Sequence, residues 1–380
     1  MRLPAPHQEH ISALARLREV TWGLVILIVV IAGIGFGMLY SAGGGKLDPW
    51  ATSQIGRFAA GLAILFATAT IDLRFWLRHA YIIYGAAFLA VIAVEVIGLV
   101  SGGAQRWINL GVIRLQPSEV MKIALLLALA RYFHKSAFED VTKATRLIVP
   151  VLLIGAPVLL VLKQPDLGTA ALLGFGGLAI LFAAGVRPWK FAAGGALALL
   201  ALPVVWQFLR DYQRNRILSF LDPQKDPLGA GYHSIQAEIA LGSGGAWGKG
   251  FLQGTQSHLS FIPETQTDFI FAMLAEEFGM MGSLLLIGLY FAVILYGFFI
   301  AMRSRNQFGR LLALGLTINL FLYVFINIAM VTGLIPVVGV PLPLISYGGT
   351  AMLTLMFGFG LVISVYIHRD ARIGRFDEES

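Results

Sequence analysis

The chain has 380 residues, 57% hydrophobic and 13% charged, and its mean hydropathy of +0.78 excludes an ordinary soluble domain. The absence of cysteine excludes disulfides, thiol catalysis and cysteine-ligated metal. In so apolar a chain, the formal net charge of +7 reports orientation in a membrane rather than nucleic-acid binding.

Lipid admits only helices or closed barrels, and unbroken apolar runs without alternation choose helices. The pattern predicts an all-α polytopic membrane protein with ten transmembrane helices at 22–40, 55–71, 80–100, 118–133, 147–162, 168–186, 191–209, 269–302, 311–332 and 350–367. The first run is longer than the apolar core of a signal peptide, about 7–15 residues, and reads as a retained span. In the preceding tail, residues 1–21, Ile11, Leu14 and Leu17 recur at helical spacing, so the tail either lies along the membrane surface or is unstructured. An even number of spans puts both termini on one side. If that side is the cytoplasm, its tails, 1–21 and 368–380, and its loops hold 17 of the 28 Lys and Arg, as the positive-inside rule prefers. The large loop 210–267 between helices 7 and 8 then lies outside, and the whole chain reads as a single membrane domain, 1–380.

Glu95 is a lone acid at membrane depth whose partner the sequence does not name. The segment SGGAQRWINLGVIRLQPSEVMKI is too polar to cross lipid and too apolar for a free loop, which suggests a re-entrant segment packed against protein. Pro117 can open the fourth helix, and Glu119 and Lys122 then share one face at i, i+3. They are either a self-neutralising ion pair or the polar wall of an outward-opening cavity. Arg106 and Arg114 add cationic character, and arginine suits bidentate phosphate binding. Lys163 and Asp166 lie in LKQPDLGT, where capping is the plainer role for Asp166.

In the large loop, Gly244–Gly250 resembles a phosphate loop, but Ser243 and Gly250 break the Walker spacing. Its glycines serve either tight turns or close backbone approach to a ligand. Asp268 stands where the loop enters an apolar helix. A carboxylate facing hydrocarbon would cost about 2.5–3.5 kcal/mol, so it faces water, protein or substrate. Asp is also a favoured helix N-cap, and spacing alone leaves both roles open. Asn319 and Asn327 share a helix face as interhelical hydrogen-bond groups. GLIPVVGVPLPLISYGGT, with three prolines, forbids a regular helix. Its Ser346 is read as a cap of the last span or a substrate contact.

An ordered set of stretches covers all but the termini: GGAQRWINLG, QPSEVMKI, KQPDLGTA, DYQRNRILSFLDPQKDPLGAGYHSIQAEIALGSGG, HLSFIPETQTDFIFAMLAEE and PVVGVPLPLISYGG. In these the chain resembles the SEDS (shape, elongation, division, sporulation) family. VVGVPLPL before ISYGG is closer to its elongation branch than to its division branch.

The resemblance implies an inner-membrane glycosyltransferase that polymerises lipid II into peptidoglycan during elongation. It also implies a class B penicillin-binding protein as partner, in a complex with MreB, MreC and MreD. Asp268 would be the general base. Arg106, Lys122 and Lys163 would face the pyrophosphate, with Glu119 orienting Lys122 or a sugar hydroxyl. Trp107, His258, Glu264 and Ser346 would line the substrate site. No cofactor is implied; a divalent cation could accompany a pyrophosphate, but no cluster of carboxylates or histidines names a metal site. The competing functions are a flippase for the same lipid and a non-enzymatic scaffold.

Overall fold

The computed structural model describes residues 19–101, 104–109, 111, 114–135, 143–208, 213–214, 218–220, 230–258, 265–371 and 373–374. Helices stand on the stretches that the sequence marks as apolar. In chain order they are α1 (Trp22–Ala42), α2 (Trp50–Thr70), α3 (Leu73–Ile97), α4 (Pro117–Lys135), α5 (Ala144–Lys163), α6 (Leu167–Ala183), α7 (Pro188–Phe208), α8 (Ala230–Ser243), α9 (Thr255–His258), α10 (Ile270–Arg303), α11 (Gln307–Val331) and α12 (Gly349–Ile367). Among the described residues, α1, α3, α5, α10, α11 and α12 are long and apolar enough to cross a membrane, and α6 is a shorter apolar helix. The third helix starts at Leu73, earlier than predicted, because the Asp72 side chain accepts from the Arg74 amide at 2.8 Å and caps it.

Helix α4 carries charges at both ends yet is enclosed. It carries Glu119, Lys122, Arg131 and Lys135, and it is buried almost without interruption from Pro117 to Ala130. It touches α3, α5, α6, α11 and α12. A helix ringed by helices presents its first-turn charges to protein instead of lipid, which is the arrangement such charges require.

The stretch between α3 and α4 is a small antiparallel sheet in the order β1 (Leu99–Ser101), β2 (Ala104–Asn109) and β3 (Arg114–Leu115). Leu99 pairs with Trp107, and Ile108 with Leu115. Strand pairing satisfies the backbone that a loose loop would leave open, and the sheet rests on α3, α4 and α12.

Helix α10 is broken at Gly279, whose φ of 65° and ψ of −162° are not helical. The glycine-rich stretch after α8 supplies what the break removes. Lys249 and Gly250 amides donate to the Glu276 and Glu277 carbonyls, both at 3.0 Å. The Met280 and Met281 amides donate to the Gly245 and Ala246 carbonyls at 2.9 and 3.1 Å. A Cβ on Gly244 would lie 2.0 Å from the Ala275 carbonyl oxygen, and one on Gly248 2.1 Å from that of Glu277. The close backbone approach read from these glycines is therefore made to the protein's own broken helix.

Candidate active site

The site is built on one face of α11, where Asn319, Tyr323 and Asn327 follow at four-residue intervals. The Tyr323 hydroxyl donates to Glu119 Oε2 at 2.7 Å, and Lys122 Nζ donates to Glu119 Oε1 at 2.7 Å. Lys122 also contacts the Tyr323 hydroxyl. The Lys122 and Glu119 side chains are only 2% and 7% exposed. Of the two readings of this pair, the contacts favour the ion pair, completed by a tyrosine from another helix. The cavity it lines with Asn319, Pro341 and Ser346 holds about 60 Å³, far below the roughly 300–1,000 Å³ of small-molecule sites.

One helical turn along α11, Asn327 reaches the other acid. Its Nδ2 donates to the Asp268 carbonyl at 3.0 Å and to the Val340 carbonyl at 2.7 Å. Ser346 Oγ accepts from the Leu342 amide at 2.7 Å and donates to the Thr267 carbonyl at 2.6 Å. The Tyr347 amide donates to the Gln266 carbonyl at 2.8 Å. Three successive carbonyls, those of residues 266 to 268, are thus fixed by α11 and by the proline-rich segment before α12.

Asp268 itself is half-buried. The N-cap of α10 is Phe269, without a side-chain cap bond, so Asp268 stands one residue before the cap and the N-cap reading does not describe it. Ser346 is not the cap of α12 either; that position belongs to Gly348. The proline-rich segment is held in turn by Gln54, whose Nε2 donates to the Ser346 carbonyl at 2.9 Å, and by Tyr290, whose hydroxyl donates to the Pro343 carbonyl.

Arg106 and Lys163 do not line the Glu119 cavity. Arg106 Nε donates to the Gln164 carbonyl at 3.1 Å, its Nη2 to the Pro165 carbonyl, and its Nη1 lies 3.8 Å from Asp166 Oδ2. It clamps β2 to the α5–α6 turn. Asp166 caps α6 by accepting from the Thr169 amide at 3.1 Å. Lys163 pairs with Glu95 at 3.5 Å, which supplies the partner that the sequence left unnamed. Trp107 is half-buried in β2. His258 ends α9, and Glu264 lies outside the described residues, as does most of the N-terminal tail.

Sequence reasoning missed Tyr323, although its position midway between Asn319 and Asn327 marks the same helix face. It also missed two buried acids. Glu276 Oε1 accepts from Lys249 Nζ at 2.7 Å and from the Gln256 amide at 2.9 Å. Glu277 accepts from the Ser41 hydroxyl of α1.

Fold and site together define a multi-pass membrane protein with charged groups neutralised inside a helical bundle. A family model described as Cell cycle protein, covering FtsW, RodA and SpoVE, matches residues 19–371. The chain belongs to this family. It is 50% identical over 319 residues to the peptidoglycan glycosyltransferase MrdB of Escherichia coli (strain K12), covering 83% of this chain and 85% of that one. Its fold is similar to a chain from a structure described as structural coordination of polymerization and crosslinking by a peptidoglycan synthase complex, with a TM-score of 0.80 and 34% identity over 94% of this chain and 99% of that one. It is also similar to the crystal structure of Thermus thermophilus rod shape determining protein RodA, with a TM-score of 0.70 and 30% identity over 93% and 98% of the two chains.

Proposed function

We propose that this protein is a peptidoglycan glycosyltransferase that polymerises lipid II into β-1,4 glycan strands during rod-shaped elongation. The observation that carries the reading is the 50% identity to MrdB over most of both chains; the likeness to RodA supports the elongation role. The chain is one membrane unit of ten crossings in the cytoplasmic membrane. Both termini are inside and the 210–267 loop is outside, supported by helices at every predicted stretch and by the distribution of Lys and Arg.

In this mechanism the acceptor N-acetylglucosamine 4-hydroxyl gives its proton to the Asp268 carboxylate. Its oxygen bonds to the anomeric carbon of the donor N-acetylmuramic acid, the bond to undecaprenyl pyrophosphate breaks, and α inverts to β. The half-buried position of Asp268, with its backbone fixed on both sides, suits a general base that must be oriented. Arg106, Lys122 and Lys163 remain the cations proposed for the pyrophosphate. Lys163, with a side chain 68% exposed, is the one whose partner is most easily exchanged. Glu119 holds Lys122, and Trp107, His258, Glu264 and Ser346 border the sugar and peptide. A class B penicillin-binding protein supplies crosslinking, within a complex including MreB, MreC and MreD. The chemistry calls for no resident cofactor.

The test is glycan formation from labelled lipid II by the purified protein with its partner, with and without chelated divalent cation, beside Asp268→Asn. Polymer made by the wild type and lost in a folded, partner-bound variant supports the reading. Wild-type rates in the variant remove Asp268 from the mechanism. Movement of lipid II across a bilayer without polymer replaces the reading with a flippase.

A further inference from the structure

At the end of the bundle where α1 begins and α10 and α12 finish, a cavity of about 730 Å³ has no role in the proposed reaction. Its lining divides sharply. Trp22, Leu295 and Phe299 form an exposed apolar wall, 53%, 39% and 66% accessible. Arg303 and Arg369 supply two cations, and the hydroxyls of Thr21, Tyr296 and Tyr366 add polar groups.

One detail marks this as more than a gap between helices. Arg369 is preset: its guanidinium sits 4.5 Å from the Tyr366 ring centre, and its Nη1 donates to the Tyr366 carbonyl at 2.9 Å. Glu19 Oε2 lies 3.6 Å from that same nitrogen and Asp370 Oδ2 lies 3.7 Å from its Nε, both partly exposed and exchangeable contacts.

We infer that this cavity binds an anionic phospholipid, with the headgroup phosphate between Arg303 and Arg369 and an acyl chain along Trp22, Leu295 and Phe299. The volume exceeds the roughly 300 Å³ at which small-molecule sites begin. Aromatic residues at a helix end beside arginines are the composition of a membrane–water boundary. Charge argues against the chain's own N-terminal segment as occupant, because residues 1–18 carry Arg2, Arg16 and Arg18 against Glu9. The site is separate from Asp268 and from the Glu119 cavity, so it stands or falls independently of the proposed reaction.

The experiment is native mass spectrometry of the full chain released from nanodiscs of phosphatidylcholine with and without phosphatidylglycerol. It is paired with thermal stability in detergent on adding phosphatidylglycerol, phosphatidylcholine or inorganic phosphate. Phosphatidylglycerol should be retained selectively and should stabilise the protein. Arg303→Gln should weaken retention about five-fold, the effect of one basic residue at an anionic lipid, and Arg303→Lys should restore it. Ala292→Trp, which places an indole in the cavity and leaves both arginines in place, should weaken retention. Equal retention of both lipids, or of phosphatidylglycerol by wild type and Ala292→Trp alike, overturns the site. Stabilisation by inorganic phosphate without any lipid retention overturns the lipid assignment.

Discussion

The two acid-bearing regions on α11 solve opposite problems. Glu119 is held by side chains: Lys122 and Tyr323 meet its two oxygens in a space of about 60 Å³. Asp268 is held through its backbone, with its own carbonyl and that of Thr267 accepting from Asn327 and Ser346. An acid neutralised by side chains is committed to the architecture. At Asp268 the backbone fixed on both sides holds the Cα in place through a change of protonation.

This contrast yields a graded set of expectations. Asp268→Asn should lower polymerisation by about 10²–10⁴-fold, the span of general-base contributions, and leave thermal stability nearly unchanged. Lys122→Met should lower both. Leaving Glu119 buried without its cation should cost about 3–5 kcal/mol, and the double variant Glu119→Gln, Lys122→Met should recover most of it. Thermal unfolding in detergent measures both, and a single variant as stable as the double one would refute the committed ion pair.

Ser346→Ala should fall between these. It removes one bond to the Thr267 carbonyl and one inside the proline-rich segment, so polymerisation should drop about 10–100-fold through misplacement of Asp268, with a stability loss of about 1–3 kcal/mol. A stability loss without a rate loss would show that the turn does not depend on Ser346. The smallest effect is Lys163→Met, at most about 1 kcal/mol for a pair as exposed as Lys163–Glu95. A clear fall in polymer yield with that variant, at unchanged stability, would assign Lys163 to the substrate.

Local spacing made part of this legible. The i, i+3 relation of Glu119 and Lys122, the apolar runs and the acid at a loop-to-helix boundary could all be read directly. Tyr323 is 204 residues from Glu119, and a pairing at that distance depends on how α4 and α11 pack, which periodicity does not report. Arg106 was read by its chemistry as a phosphate ligand, yet the same donor fork fits the carbonyls at the end of α5 equally well. The break at Gly279 was hidden because apolar residues continue through it, and the loop that repairs it lies about thirty residues upstream.

That repair has a consequence for how mutations in this protein should be interpreted. At Gly244, Gly248 and Gly279 the nearest contacts to an added Cβ are backbone atoms at 2.0, 2.1 and 2.4 Å. The requirement there is for missing atoms, so even alanine, the mildest probe in a scan, becomes a severe insult. Defects found at these glycines would mimic loss of chemistry while touching no reactive group. Activity lost there should be credited to the seating of the half-helix that follows Asp268.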